Sequence, residues 1–419
     1  MKLRFCVLGV VLILPTVMFA GDDWPQFRGP TGEGHATAKN LPLEWGKNKN
    51  VAWMTPIPGL GWSSPIVVNS RVYLTTAVPL KENRDQSLDA LCLDAKTGKI
   101  LWQKQVFRED GRTAPAIHGK NSHASPTPLI HDGKLYVHFG HQGTACLDLD
   151  GKILWRSTEL KYKPVHGNGG TPIIADDKLI FTCDGSDVAF FAALDRNNGE
   201  VLWKKPRNTD AKKTFSFGTP LLITVDGKPQ VVSPASNAVI SYDPADGQEI
   251  WRVTYDGYSL IPRPVYGHGL LFISTGFDSP IVLAIRPNGT GDVTKTHVAW
   301  SLRQNAPLTP SPLLVGNELY LVSDNGIASC VDARTGKVFW KERVGTAFSA
   351  SPMDAGGRVY FQSEDGVGIV IKAGKRFEEL GRNLLEEKTY ASYAVAEDAL
   401  FIRTDKRLYR FQSRGGQRQ

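Results

Sequence analysis

A tryptophan recurs through this chain at a nearly fixed interval, and in five copies glycine stands four places before it. The copies are Asp94-Ala-Lys-Thr-Gly98-Lys-Ile-Leu-Trp102, Asp148-Leu-Asp-Gly151-Lys-Ile-Leu-Trp155, Asp195-Arg-Asn-Asn-Gly199-Glu-Val-Leu-Trp203, Asp243-Pro-Ala-Asp-Gly247-Gln-Glu-Ile-Trp251 and Asp332-Ala-Arg-Thr-Gly336-Lys-Val-Phe-Trp340. Trp300 ends a looser copy with an inserted turn, Phe377 ends a degenerate one after Gly374, and Trp53 is the same strand without its turn. Trp53, Trp102, Trp155, Trp203, Trp251, Trp300 and Trp340 thus form one column, at steps of 49, 53, 48, 48, 49 and 40. Self-similarity at such a period is the mark of a solenoid or propeller, in which each unit buries its apolar face only against its neighbours.

A second column opens each unit with a small residue and proline: Ser64-Pro65, Ser125-Pro126, Thr171-Pro172, Thr219-Pro220, Arg263-Pro264, Ser311-Pro312, Ser351-Pro352 and finally Ser392-Tyr393. Within each unit, short apolar and alternating runs are separated by turn signals, which is strand chemistry. The Asp-to-Gly step is a tight turn, Asp bonding its own backbone and Gly taking positive φ. Four strands in each of eight units predict an all-β, eight-bladed propeller. The last unit stops after its third strand, so the strand around Trp53 is expected to complete it and close the ring. Residues 377–388 are helical by composition, but the repeat register puts Phe377 on an outer strand.

Length alone suggests two or three domains, and the repeat reduces them to one. The chain divides into an export signal (1–20), a leader (21–50), the propeller (51–412) and a solvated basic tail (413–419). Lys2 and Arg4 precede an apolar run from Phe5 to Phe19 and the boundary Ala20-Gly21, the pattern of a secretory signal. Cys6 lies too early to be a lipidated N-terminus. A periplasmic or secreted monomer is expected, with no later span long enough to cross a bilayer. The net charge of +7 resides in the signal and the residues from Arg403 onward, leaving a neutral body. That distribution argues against a nucleic-acid partner.

Cys92, Cys146 and Cys330 occupy one repeat position, where other units carry Ala193, Ser241, Ala284 and Val370. Equivalent positions on different blades are too far apart to bridge, so free, buried thiols are expected there and at Cys183.

The unit Ala-x-Asp-x-x-Thr-Gly-x-x-x-Trp resembles the tryptophan-docking motif of the pyrroloquinoline quinone (PQQ) repeat family. Residues 45–412 carry the resemblance. The leader Trp24-Pro-Gln-Phe27-Arg28-Gly29-Pro-Thr-Gly32-Glu-Gly34 with Leu41-Pro-Leu-Glu-Trp45 is similar to that of planctomycete-type PQQ-binding-like propellers. The resemblance implies either a non-catalytic scaffold of the BamB kind or a quinoprotein dehydrogenase. Such dehydrogenases clamp PQQ between a Trp and a vicinal Cys-Cys disulfide, beside a calcium ion acting as Lewis acid. No Cys-Cys pair and no Cys-x-x-Cys-His occur here. No cofactor is therefore expected, with PQQ and calcium as the alternative. Six histidines between His118 and His166 lack compact ligand spacing and are read as turn and edge residues, so no metal is assigned. No catalytic residue is assigned.

The segments leading into the innermost strands ring the channel mouth. They supply Trp62, His123, Asn168, Phe217, Tyr258, Arg263 and Phe348 as ligand-binding candidates, with His166, Phe215 and Tyr390 beside them. An aromatic and polar ring suits a peptide or small ligand. Charged insertions at Val78–Leu88 and Phe107–Asn121 are where a partner-specific contact would arise. The expected role is an envelope binding or assembly scaffold with a protein or peptide partner. The alternatives are a PQQ-dependent alcohol or sugar dehydrogenase and a carbohydrate-binding or sensor module.

Overall fold

In the structure, a computed structural model describing residues 23–81 and 84–413, eight blades of four antiparallel strands follow one another around a ring, two of them extended by a short parallel strand. Blade 1 is built from Ile66–Val68, Arg71–Pro79, Gln86–Asp94 and Ile100–Glu109. The innermost strands of blades 2 to 7 begin at Leu129, Ile173, Leu221, Val265, Leu313 and Met353. Blade 8 comprises Ala394–Ala396, Ala399–Arg403 and Arg407–Gln412, and Val51–Pro56 supplies its outer strand, pairing antiparallel with Arg407–Phe411 as expected. Among the described residues the helical content is the turn Thr294–His297 and the 3-10 turn Gly140–Gln142. The expected export signal, Glu82 and all of the basic tail beyond Ser413 lie outside the described residues.

The glycine and tryptophan columns are two halves of one contact. Gly98, Gly199, Gly247 and Gly336 adopt φ between 72° and 80°. A Cβ there would sit 2.6–2.8 Å from the indole of the preceding blade, respectively Trp53, Trp155, Trp203 and Trp300. Glycine is thus required both by the turn and by the ring lying on it. The indole Nε1 then donates to a backbone carbonyl of the next blade: Trp53 to Ala95 (2.9 Å), Trp102 to Leu149 (3.1 Å), Trp155 to Arg196 (3.1 Å), Trp300 to Ala333 (3.0 Å) and Trp340 to Gly374 (3.1 Å). Trp251 instead donates within its own blade, to Gln230 Oε1 at 2.9 Å.

The hydroxyl column forms a belt around the channel. The backbone N–H of every column residue but Thr219 donates to the side-chain oxygen of the next: Ser64 to Thr127, Thr127 to Thr171, Thr171 to Thr219, Arg263 to Ser311, Ser311 to Ser351, Ser351 to Ser392, and Ser392 back to Ser64, all at 2.9–3.1 Å. Blade 2 therefore enters the column with Thr127-Pro128. The sequence register placed Ser125-Pro126 there, two residues early, because the segment carries both dipeptides in tandem.

Blade 7 requires a second correction. Its outer strand is Glu379–Leu384, a strand as expected, but the position paired with Val370 is Gly381, and Phe377 lies in the preceding turn. No blade 7 indole exists, and the leader provides one. Trp45 is buried and stacks on Tyr360 with centroids 6.3 Å apart, where the blades' own tryptophans pack at a tilt against Tyr73, Tyr136 and Tyr320. Asn383 clamps it in place, accepting from Trp45 N–H and donating to the Leu43 carbonyl, each at 2.9 Å. Phe377 packs edge-on against Trp340 instead. Cys92, Cys146, Cys183 and Cys330 are free and buried, each thiol raised by burial above its ordinary value.

Candidate functional site

Alternation of strand direction places the connectors between blades, together with the loops between second and third strands, on one face of the ring. The opposite end of the channel is filled by the leader. Trp24 exchanges backbone hydrogen bonds with Val67 of blade 1, and Pro25 accepts from Ile130 N–H of blade 2. Arg28 Nη2 donates to Pro312 O of blade 6 (2.7 Å) and to Glu33 O (2.8 Å). Glu33 Oε1 accepts from Tyr266 N–H of blade 5, Gly34 O accepts from Asp354 N–H, and His35–Ala36 pairs parallel with the innermost strand of blade 7. These partners lie on innermost strands or, for Pro312, immediately before one, so the segment from Trp24 to Ala36 runs inside the channel.

Two of the seven candidates face away from the mouth. Arg263 is 3% exposed and donates to Phe27 O at 3.1 Å, so it holds the leader. Burial lowers its pKa to about 10, and burial together with Arg263 lowers Arg28 to about 9. Phe348 is fully buried in a core cluster between blades 6 and 7. Asn168 and Phe217 are also buried. Asn168 Oδ1 accepts from Tyr162 at 2.8 Å, and its amide nitrogen meets His141 Nδ1 at 3.1 Å.

The other three open toward the mouth. Trp62 packs at a tilt against Tyr390, with centroids 4.5 Å apart. His123 Nδ1 pairs with the buried carboxylate of Glu109, which His141 Nε2 approaches at 3.6 Å. Burial lowers the pKa of His141. Tyr258 belongs to a ladder of five rings that crosses successive connectors. His118, His166, Phe215, Tyr258 and Phe277 follow at centroid spacings of 5.5, 5.5, 5.6 and 5.7 Å, each pair edge-to-face. Lys213 Nζ lies 4.0 Å above the Tyr258 ring and 2.7 Å from its hydroxyl. The buried Phe215 holds the ladder down, while His118 and His166 are exposed and Phe277 is 50% exposed. His166 has a lowered pKa from partial burial and from His118.

Phe277, Glu109 and His118 were absent from the candidates. Phe277 sits on a loop between second and third strands, a loop type that shares the connector face. Alternating strand direction was the signal that could have found it. The Phe107–Asn121 insertion crosses the mouth. Ile117 bridges to His166, and Lys120 reaches Glu364 of blade 7 at 2.8 Å. Much of its charge pairs locally, Arg108 with Asp85 and Arg112 with Asp110.

Among the described residues no group of three His, Cys, Asp or Glu side chains converges to hold a metal, and the four cysteines lie on separate strands.

A family model described as outer membrane protein assembly factor BamB matches residues 82–214 and 190–419. BamB of Shewanella oneidensis is 26% identical over 263 residues, which is 56% of this chain and 61% of the relative. Tetrathionate hydrolase of Acidithiobacillus ferrooxidans is 22% identical over 296 residues, 66% of this chain and 52% of the relative. The chain thus spans between half and two thirds of these relatives' lengths. The crystal structure of BamB from Moraxella catarrhalis superposes with a TM-score of 0.57 at 13% identity, covering 86% of this chain and all of the other, a likeness of fold.

Proposed function

This chain belongs to the PQQ-repeat propeller family of the outer membrane protein assembly factor BamB, and from that premise we propose that it is a non-catalytic docking scaffold of the cell envelope. The observation that carries the reading is the ladder from His118 to Phe277, which presents an exposed aromatic ridge across four connector elements while the leader fills the channel behind it. Aromatic side chains concentrate binding energy at protein interfaces, since each offers a large contact area for few frozen torsions. Tyr258, His166 and Trp62 supply this contact, and the buried Phe217 and Asn168 hold the connectors that carry them. The partner is an outer-membrane assembly protein that docks on this face. No helix among the described residues is long and apolar enough to cross a membrane.

Purification of the tagged chain from its own envelope tests the reading. The expected result is recovery of an assembly protein that the double variant Phe277→Asp, His166→Asp no longer retains. Recovery unchanged by the double variant, or dye reduction by the purified chain with PQQ, calcium and alcohols or sugars, overturns it.

A further inference from the structure

The segment Trp24–Ala36 is bound as a ligand is bound, with contacts scattered over five blades. The ring is complete without it: each blade has its four strands, and blade 8 is closed by Val51–Pro56, downstream of the leader. Only His35 and Ala36 pair with a blade strand in register over two residues. Elsewhere the contacts are a reciprocal backbone pair between Trp24 and Val67 on blade 1, one hydrogen bond each on blades 2 and 6, and two on blade 5.

One wall residue is given over to this segment. Where the hydroxyl column calls for a small hydroxylated residue, blade 5 carries Arg263. The belt has no side-chain link between Thr219 and Arg263, and the guanidinium donates to Phe27 O instead. Gly32 admits it, since a Cβ there would stand 2.1 Å from Arg263 Nη1. The seat is also imperfect. Trp24 Nε1, Arg28 Nε and Nη1, and Arg263 Nε are buried without partners, and each such donor forfeits its hydration for nothing in return.

We propose that the channel is a binding site for an extended, glycine-punctuated peptide carrying one arginine, and that residues 24–36 are its resident, exchangeable occupant. The occupant reads the wall through Arg28 on Pro312 O, through Glu33 on Tyr266 N–H, and through its backbone on Val67, Ile130 and Asp354. Because the site is separate from the aromatic ridge, its test is independent of the docking proposal.

The test uses the full chain with a protease site inserted at the exposed Lys39–Asn40 junction, which separates the channel segment from the Trp45 clamp. After cleavage, a fluorescent synthetic peptide of residues 23–39 is added. The expected result is saturable binding at one peptide per chain, with release of the resident fragment seen by mass spectrometry and an unchanged circular dichroism spectrum. The Arg28→Ala peptide, and the wild-type peptide on an Arg263→Ser chain, are expected to bind at least tenfold more weakly. Retention of the resident fragment under excess peptide overturns the proposal. So does unfolding on release, or equal binding of the wild-type and Arg28→Ala peptides.

Discussion

The hydroxyl of Ser64 accepts the backbone N–H of Ser392 at 3.1 Å, joining residues 328 positions apart and closing the belt of side-chain links around the channel. The belt explains why the column before the innermost strands is small and hydroxylated. Except at the step from Thr219 to Arg263, each column residue donates through its backbone to one neighbour and accepts through its side chain from the other. Thr171→Val keeps shape and removes the acceptor for Thr127 N–H, leaving that buried donor unpaired. Urea denaturation is expected to show a loss of about 1–3 kcal/mol. A loss below a few tenths would show that the belt bears no load.

The turn glycines separate strain from collision. Gly199 (φ 80°) has Trp155 Cε3 2.6 Å from the site of a Cβ, whereas Gly227 (φ 75°) has open space. Both alanine variants carry the cost of a left-handed backbone, of order 1 kcal/mol. Gly199→Ala adds displacement of the indole, about 1–3 kcal/mol more. Equal melting temperatures for the two variants would contradict the docking role of the column.

Trp45 is expected to stabilise the ring as strongly as a blade's own tryptophan, because its buried indole packs on blade 7, 2.2 Å from where a Cβ at Gly368 would stand. Trp45→Ala should cost about 3–5 kcal/mol in chemical denaturation, the range for deleting a buried large aromatic side chain. An effect under about 1 kcal/mol would mean that the leader merely rests on blade 7.

His138 couples stability to acid. It is buried, bonded to Thr144 Oγ1 at 2.8 Å and packed on Phe181, and burial with the nearby His141 lowers its pKa to about 3. Below the ordinary value near 6.5 the unfolded chain takes up a proton that the folded chain refuses. The stability present above that pH is therefore lost as pH falls toward 3. Each unit of difference is worth about 1.4 kcal/mol. Denaturation midpoints of the wild type and His138→Gln, followed from pH 7 to 4, should converge as pH falls. Parallel curves would contradict the assignment.

The ring was legible because its main contact repeats. A glycine that must lie under the preceding blade's indole leaves the same spacing at each copy, and closure by the Trp53 strand followed from the missing fourth strand of the last unit. What escaped was what does not repeat. Tandem Ser125-Pro126 and Thr127-Pro128 offer one column two registers, and only the belt distinguishes them. Trp45 substitutes for a blade 7 residue from more than 300 positions away, a relation without local sequence signal. Arg263 was read as a mouth residue because its column reaches the mouth. Its departure from the hydroxyl pattern was the available clue that it serves the leader. The ladder was half visible in Tyr258, His166 and Phe215, whereas Phe277 required the loops between second and third strands to be counted with the connectors.

Site-specific photocrosslinking in the native envelope tests the docking role most directly. A photoreactive amino acid placed at Phe277 on the ridge, 50% exposed, is compared with one at Leu101, 43% exposed on the outer strand of blade 1. The account predicts a discrete adduct with an outer-membrane assembly protein from position 277 and none from position 101. No adduct from position 277, or the same adducts from both positions, would contradict it.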